Sequence, residues 1–356
     1  MTKNGGRVAA LDGTRGLAIF LVVAYHVGLP LRYSGVVGVT VFFVLSGYLI
    51  TSLLSREMWT TDRIRLGHFY MRRLLRLAPA LLVAVALTAL FMIATRDPQL
   101  PDYWEQAAAA VSYTSDFFMA GGAQMPILGH TWSLAVEEQF YLLWPVLLIG
   151  VLTVARTRIQ ATWIVGVAAA IFFVWRLTAP LVFDGWERTY FAPDTVFYAL
   201  LCGCVLALVP GNLKSLPLWW GYVSLGSLAV LSAIPSISFE GVDRIITLYI
   251  GAFAAAFALI VVALSTRMKV LEFRPLIFLG TVSYGWYIWH QIVLHLEPFG
   301  KSISGSAAHA GLAMFALLLA WLSFRYVESP VLRVKRRFEI SQPNADQVSK
   351  ESRAGV

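Results

Sequence analysis

Arg15 and His26 are the residues of this sequence best placed to do chemistry. They stand eleven positions apart in one apolar stretch, which opens Leu11-Asp12-Gly13-Thr14-Arg15-Gly16 and closes Val23-Ala24-Tyr25-His26. At 3.6 residues per turn that spacing is about three turns. Both side chains then share a helix face, about 16 Å apart along the axis. A guanidinium and an imidazole at membrane depth are costly, and by default they mark a functional site. The pair reads as an anion anchor with a base above it. A snorkelling arginine and a packed histidine would be the plain alternative. The shared face and the cost of burial argue against it.

Three more segments carry candidate groups. Arg72-Arg73-Leu74-Leu75-Arg76-Leu77-Ala78-Pro79 places guanidiniums at i, i+3 and i+4, on one helical side. Clustered planar forks suit phosphate oxygens, although a positive-inside loop would also hold arginines here. The run from His130 and Thr131 through Trp132, Ser133, Glu137 and Glu138 to Pro145 opens another apolar segment. Its two carboxylates fall about 10–12 Å along that helix, a depth similar to that of His26. A buried carboxylate needs a partner, and His26 is the candidate. Adjacent residues point about 100° apart, so only one of the two glutamates can face it, and the sequence does not choose between them. The third segment, Gly35 to Ile50, offers small residues for close helix packing. Ser46 has no base beside it in sequence and reads as structural.

These groups need a frame, and composition dictates its kind. The chain has 356 residues, of which 58% are apolar and 13% charged, with a mean hydropathy of +0.69. Such a chain is too apolar for a soluble globule and fits an all-α, polytopic membrane helix bundle. Apolar runs predict about ten transmembrane helices, near 12–30, 36–55, 77–95, 130–153, 161–179, 193–210, 216–235, 245–265, 277–296 and 307–327. With the N-terminus inside, about twenty Lys and Arg fall on inside segments and about five on outside loops. Both termini are therefore expected to be cytoplasmic, in a multi-pass protein of the plasma (inner) membrane. Inside clusters are Arg56 to Arg76, Arg156 with Arg158, Lys214, Arg267 with Lys269 and Arg274, and Arg333 to Arg337. Acidic residues such as Asp97, Asp102, Glu105, Asp116 and Glu240 collect outside.

The domain reading is one membrane-embedded unit over 1–337 and a polar, disordered tail over 338–356. The first apolar run contains Arg15 and lacks a small-residue cleavage site, so it reads as a retained span rather than a signal peptide. The stretch from Tyr103 to Phe118 reads as an amphipathic or re-entrant helix in the longest outside loop. Cys202 and Cys204, one residue apart, are poorly placed for a mutual disulfide and read as packing. No Cys/His cluster has metal-ligand spacing. The net charge of +8 sits in loops with no aromatic platform, which excludes a nucleic-acid surface.

Taken in order, the motifs resemble the acyltransferase-3 family of integral membrane O-acyltransferases. The resemblance runs over about 7–337. It rests on Arg15-x10-His26, Gly35 to Ile50, Arg72-Arg73-x2-Arg76-x2-Pro79, Trp132 to Pro145, Val282 to His290, and Arg325 to Pro330. It implies transfer of an acyl group, most often acetyl, from cytoplasmic acyl-CoA to a hydroxyl. Family acceptors include O-antigen, exopolysaccharide, peptidoglycan, nodulation oligosaccharides and macrolides. Some members add a hydrolase-like domain after the membrane part, which this chain is expected to lack. Many relatives carry an Arg and an Asp where this chain has Val196 and Tyr198, so the resemblance does not extend to site members on span six.

On that footing acyl-CoA is a co-substrate and no cofactor is bound. Arg72, Arg73 and Arg76 are expected to dock its nucleotide end, and Arg15 to hold phosphate or the pore entrance. The pantetheine arm would run up beside span one. His26 would act as general base on the acceptor hydroxyl, oriented by Glu137 or Glu138. His130, Trp132, Ser133 and His290 are the weaker candidates for an acceptor chamber. Expected partners are acyl-CoA, a hydroxyl-bearing glycan and the bilayer. Other readings are acylation of a small molecule such as a macrolide, or a secondary transporter or lipid-linked-glycan flippase, which would also bury Arg, His and Glu. The absence of an internal repeat argues against the transporter. His295 and His309 read as ordinary, and Glu328 as a structural partner of Arg325 or of the loop arginines.

Overall fold

The structure is a computed structural model and describes residues 9–210, 216–233, 242–265, 268–296 and 306–335. Lys214, Glu240, Arg267 and the expected tail over 338–356 lie outside the described residues.

Among the described residues, ten helices of sixteen residues or more correspond to the ten expected spans: α1 (Ala9–His26), α2 (Ser34–Thr61), α3 (Leu66–Thr95), α6 (Trp132–Val154), α7 (Arg158–Thr178), α9 (Pro193–Leu208), α10 (Leu218–Ala233), α11 (Val242–Ser265), α12 (Arg274–His295) and α13 (Ser306–Ser323). Short helices α4 (Leu100–Val111) and α5 (Ser115–Ala120) fill the long loop after α3. Helix α8 (Trp186–Phe191) precedes α9, and α14 (Ser329–Lys335) follows α13. Among the described residues, six helical stretches are long and apolar enough to cross a membrane by length and composition alone. Helices α1 and α12 are not among them. They carry Asp12, Arg15, His26 and His290, and the polar groups that dilute their apolarity are those of the candidate site.

The surface is apolar where a soluble protein would be polar. Leu82, Leu87, Leu90 and Ile93 on α3, Leu142, Leu143, Val146 and Leu147 on α6, and Val167, Ile171 and Val174 on α7 all point outward. Charged groups such as Asp12, Glu57, Arg72 and Glu328 turn inward between the helices. That inversion is the signature of a bundle solvated by lipid, and the chain is a multi-pass membrane protein.

Two boundaries differ from the hydropathy reading. Helix α2 continues to Thr61, and α3 begins at Leu66, eleven residues before the apolar run. Arg, Leu and Met are good helix formers, so the charged segment stays helical although it is not apolar. Only four residues separate the two helices. Asp62 ends α2 in the left-handed conformation at φ 53°, and the Glu57 carboxylate accepts the Arg65 backbone N–H at 3.0 Å. Arg72, Arg73 and Arg76 therefore lie on a formed helix, not in a loop.

Helices α1 and α12 run parallel with their backbones in contact. A Cβ on Gly16 would strike the Leu276 carbonyl, and one on Gly280 would strike the Asp12 carbonyl. Close backbone approach of this kind is the use membrane helices make of glycine. Helices α2 and α9 approach in the same way through Gly47 and Gly203.

Candidate active site

Helix α1 ends at His26, whose Nδ1 lies 2.9 Å from the Val22 carbonyl. A carbonyl can only accept, so Nδ1 carries the proton and Nε2 keeps its lone pair. Helix α12 supplies His290 on the same logic: Nδ1 is 2.6 Å from the Tyr287 carbonyl, and Nε2 is buried with no hydrogen-bond partner. The His26 and His290 rings meet edge to face at 4.8 Å. His130, from a 3-10 turn at Gly129–Thr131, packs 5.3 Å from the His290 ring. Three imidazoles from three elements thus pack into one cluster. No group of three or more His, Cys, Asp or Glu among the described residues is arranged to hold a metal ion.

Tyr287 ties the chamber floor together. Its hydroxyl donates to the His130 carbonyl at 2.6 Å, so the Ser133 hydroxyl, 2.8 Å away, must donate to it. Ser133 lies in the first turn of α6 and Glu137 one turn deeper, about 6 Å along the axis. The Glu137 carboxylate accepts from Ser46 at 3.0 Å and from Tyr141 at 3.0 Å. The Arg73 guanidinium lies 3.9 Å over the Tyr141 ring, a cation–π placement. Arg15 and Arg73 are both within electrostatic reach of Glu137. Glu138 points elsewhere, toward Arg73 and Arg76, with Tyr113 and Tyr284 in reach. Arg76 neighbours Arg15, Arg73 and Glu328.

The result is one polar column inside the bundle. At one end stand Arg15, Arg73 and Arg76, at the other His26, His130 and His290, with Glu137 and Glu138 between. Arg15 and His26, read from sequence as a pair, do mark its two ends. Arg72 turns the other way and pairs with Glu57 at 3.6 Å, both side chains buried. The expected contact between His26 and Glu137 or Glu138 is not formed. Ser46, Tyr141 and the arginines hold Glu137, and the space beside His26 is taken by His290. Ser46, without a base beside it in sequence, donates its hydroxyl to Glu137. Glu328 sits buried in a π-helical turn, Phe324–Glu328, facing Arg76 while Arg325 is exposed. Arg76, not Arg325, is its cationic neighbour.

Tyr141, Tyr287, Tyr113 and Tyr284 were not singled out in the sequence. Helical spacing carried the signal for three of them. Tyr141 follows Glu137 by four, and Tyr284, Tyr287 and His290 recur every three residues on one stripe. Val196 and Tyr198, where the chain departs from the family resemblance, line a separate recess with Arg176.

A family model described as an acyltransferase domain matches residues 8–326. The chain belongs to the acyltransferase-3 family. Among the acyltransferase-3 relatives is the peptidoglycan O-acetyltransferase OatA of Listeria monocytogenes, 33% identical over 352 residues, covering 91% of this chain and 56% of the relative. The O-acetyltransferase OatA of Staphylococcus aureus is 31% identical, with 90% and 56% covered. A putative O-acetyltransferase of the same organism is 30% identical, with 91% and 57% covered. The chain thus spans a little over half the length of the curated relatives it matches. No solved structure matches it.

Proposed function

We propose that the column is an acyl-transfer route. Acyl-CoA, acetyl-CoA first, docks at the arginine end, and the acyl group passes to a glycan hydroxyl at the histidine end. The observation that carries this reading is the placement of both ends on one helix. Arg15 and His26 stand about 16 Å apart on α1, comparable to the reach of a pantetheine arm, with Arg73 and Arg76 gathered beside Arg15. The names of the OatA relatives support acetyl as the group moved and peptidoglycan as one acceptor of this class.

The chemistry follows from the groups present. Nε2 of His26 takes the acceptor hydroxyl proton as its oxygen attacks the thioester carbonyl. The C–S bond breaks, the O-acyl ester forms, and the proton passes to the departing CoA thiolate. Glu137 offsets the arginine charge within the column instead of orienting His26, whose orienter is the Val22 carbonyl. Glu138 holds Arg73 and Arg76 toward the donor phosphates. Arg72 supports that cluster from behind through Glu57. His290 and His130 shape the chamber in which the acceptor hydroxyl meets Nε2. The arginine end faces the cytoplasm of the inner membrane, in keeping with the arginines on the α2–α3 and α6–α7 connections.

The test is release of free CoA thiol from acetyl-CoA by the purified protein in nanodiscs, with glycan acceptor present. Turnover that is lost in His26→Ala, with weakened acetyl-CoA dependence in Arg73→Ala, is the expected result. Absence of both turnover and arginine-dependent acetyl-CoA binding would overturn the donor assignment and favour a transporter.

A further inference from the structure

Tyr113 stands in a backbone conformation that its residue type disfavours. It follows Ser112, the C-cap of α4, and lies in the left-handed region at φ 53°. Its N–H donates to the Ala110 carbonyl at 3.3 Å, and the Thr114 N–H to the Ala109 carbonyl at 2.9 Å. Those paired bonds are a Schellman stop, whose left-handed position usually falls to glycine because a Cβ is strained there. The turn itself has no need of a phenol, and a strained residue type at such a point directs attention to its side chain.

Gln139 of α6 holds this turn in place. Its Nε2 donates to the Tyr113 carbonyl at 2.9 Å and to Asp116 Oδ1 at 2.9 Å. Gln139 stands seven residues beyond the start of α6, about 10 Å along its axis. The turn after α4 therefore reaches the depth of the column carboxylates, beside the residue that follows Glu138. The Tyr113 side chain is half-buried, and its hydroxyl makes no hydrogen bond among the described residues. Glu138 is in electrostatic reach of it. One oxygen of that carboxylate, Oε1, is buried with no hydrogen-bond partner among the described residues. A buried acceptor left so is costly and calls for a donor. An uncommitted donor and an uncommitted acceptor thus lie mid-column, between the arginines and the histidines. A secondary amide complements both, its carbonyl taking the hydroxyl proton and its N–H meeting the carboxylate. Between the phosphates and the thioester of acyl-CoA runs the pantetheine arm, and its amides are groups of that kind.

We propose that Tyr113 and Glu138 form a subsite for one amide of the donor's pantetheine arm, the phenol donating to the amide carbonyl and Glu138 Oε1 accepting the amide N–H. This rests on the acyl-transfer reading for its ligand, and its binding is measurable without any transfer. The experiment uses the full chain in nanodiscs with no acceptor. The probes are acetyl-CoA and two analogues, each with one pantetheine amide N–H replaced by an ester oxygen. Calorimetric titration is expected to show one analogue binding at least about tenfold weaker than acetyl-CoA, because a hydrogen bond to a carboxylate is lost. Glu138→Leu should bring that ratio near one. Tyr113→Phe keeps the ring and should weaken acetyl-CoA about fivefold, with the ratio retained and the melting temperature unchanged. Should Glu138→Leu fail to melt cooperatively, Tyr113→Phe carries the test. Both analogues binding as tightly as acetyl-CoA, a ratio that survives Glu138→Leu, or full acetyl-CoA affinity in Tyr113→Phe would each overturn the proposal. Acetyl-CoA binding with neither analogue weakened leaves the donor reading standing and removes the subsite. No acetyl-CoA binding by the unaltered protein removes both.

Discussion

His26 and His290 face each other ten residues beyond Gly16 and Gly280, the two glycines at which α1 and α12 touch. Equal spacing on two parallel helices carries the backbone contact at the glycines forward to the rings. The chamber geometry is thus set three turns away from the chamber.

That relationship predicts a remote loss. Gly280→Val places methyl groups against the Asp12 backbone, which cannot yield as a side chain would. Overpacking of this kind costs about 1–3 kcal/mol, and here it also separates the two imidazoles. Thermal melting in detergent should fall, and thiol release should drop at least about tenfold. A conservative change at exposed Gly150, where an added Cβ meets nothing, should leave both unchanged.

His26 and His290 are not equivalent. His26→Ala should remove a general base and lower turnover about 10²–10⁴-fold. His290→Asn keeps a polar group against the Tyr287 carbonyl and should lower turnover by no more than about tenfold. Steady-state thiol release at saturating acetyl-CoA separates them. Equal losses would mean the base assignment is misplaced.

Arg72 and Arg73 are neighbours in sequence with opposite tasks. Arg72 is braced by Glu57, so Arg72→Ala leaves a buried carboxylate without its cation and should destabilise by about 3–5 kcal/mol. Arg73 lies over Tyr141 inside the column. Arg73→Ala should raise the apparent KM for acetyl-CoA about tenfold with little change in melting. Melting curves and donor titrations on both variants check the division.

Glu137 is held by two hydroxyl donors. Replacing it with Leu strands Ser46 and Tyr141 and leaves the arginines uncompensated, at a cost of about 3 kcal/mol. Glu137→Gln keeps an acceptor and should recover most of the stability but not the donor affinity, because charge and hydrogen bonding are then separated. Paired melting and acetyl-CoA binding measurements distinguish the two contributions.

The number and order of the long helices were legible because apolar runs report lipid contact directly. The start of α3 was not, since its first eleven residues carry three arginines yet are helical, and hydropathy is blind to helix propensity. Arg15 and His26 were legible as a pair because both lie on one helix, where spacing fixes geometry. The supposed pairing of His26 with a glutamate failed for the converse reason. Depth along two different helices gives one coordinate, and the angle each helix turns toward its neighbour is set by packing. Arg176 stayed hidden because a single arginine near a span end reads as snorkelling. Only the fold shows that it is buried.

The column is also built from both ends of the chain. Arg15 and His26 emerge before His290, which follows about 260 residues later. Until α12 arrives, α1 sits in the bilayer with its glycine face bare and its imidazole without His290 beside it. Helix α12 must then enter alongside α1, past eight long helices already placed. Helix α12 closes against α1, so a truncation before His290 leaves an inserted protein in which the column has not been assembled.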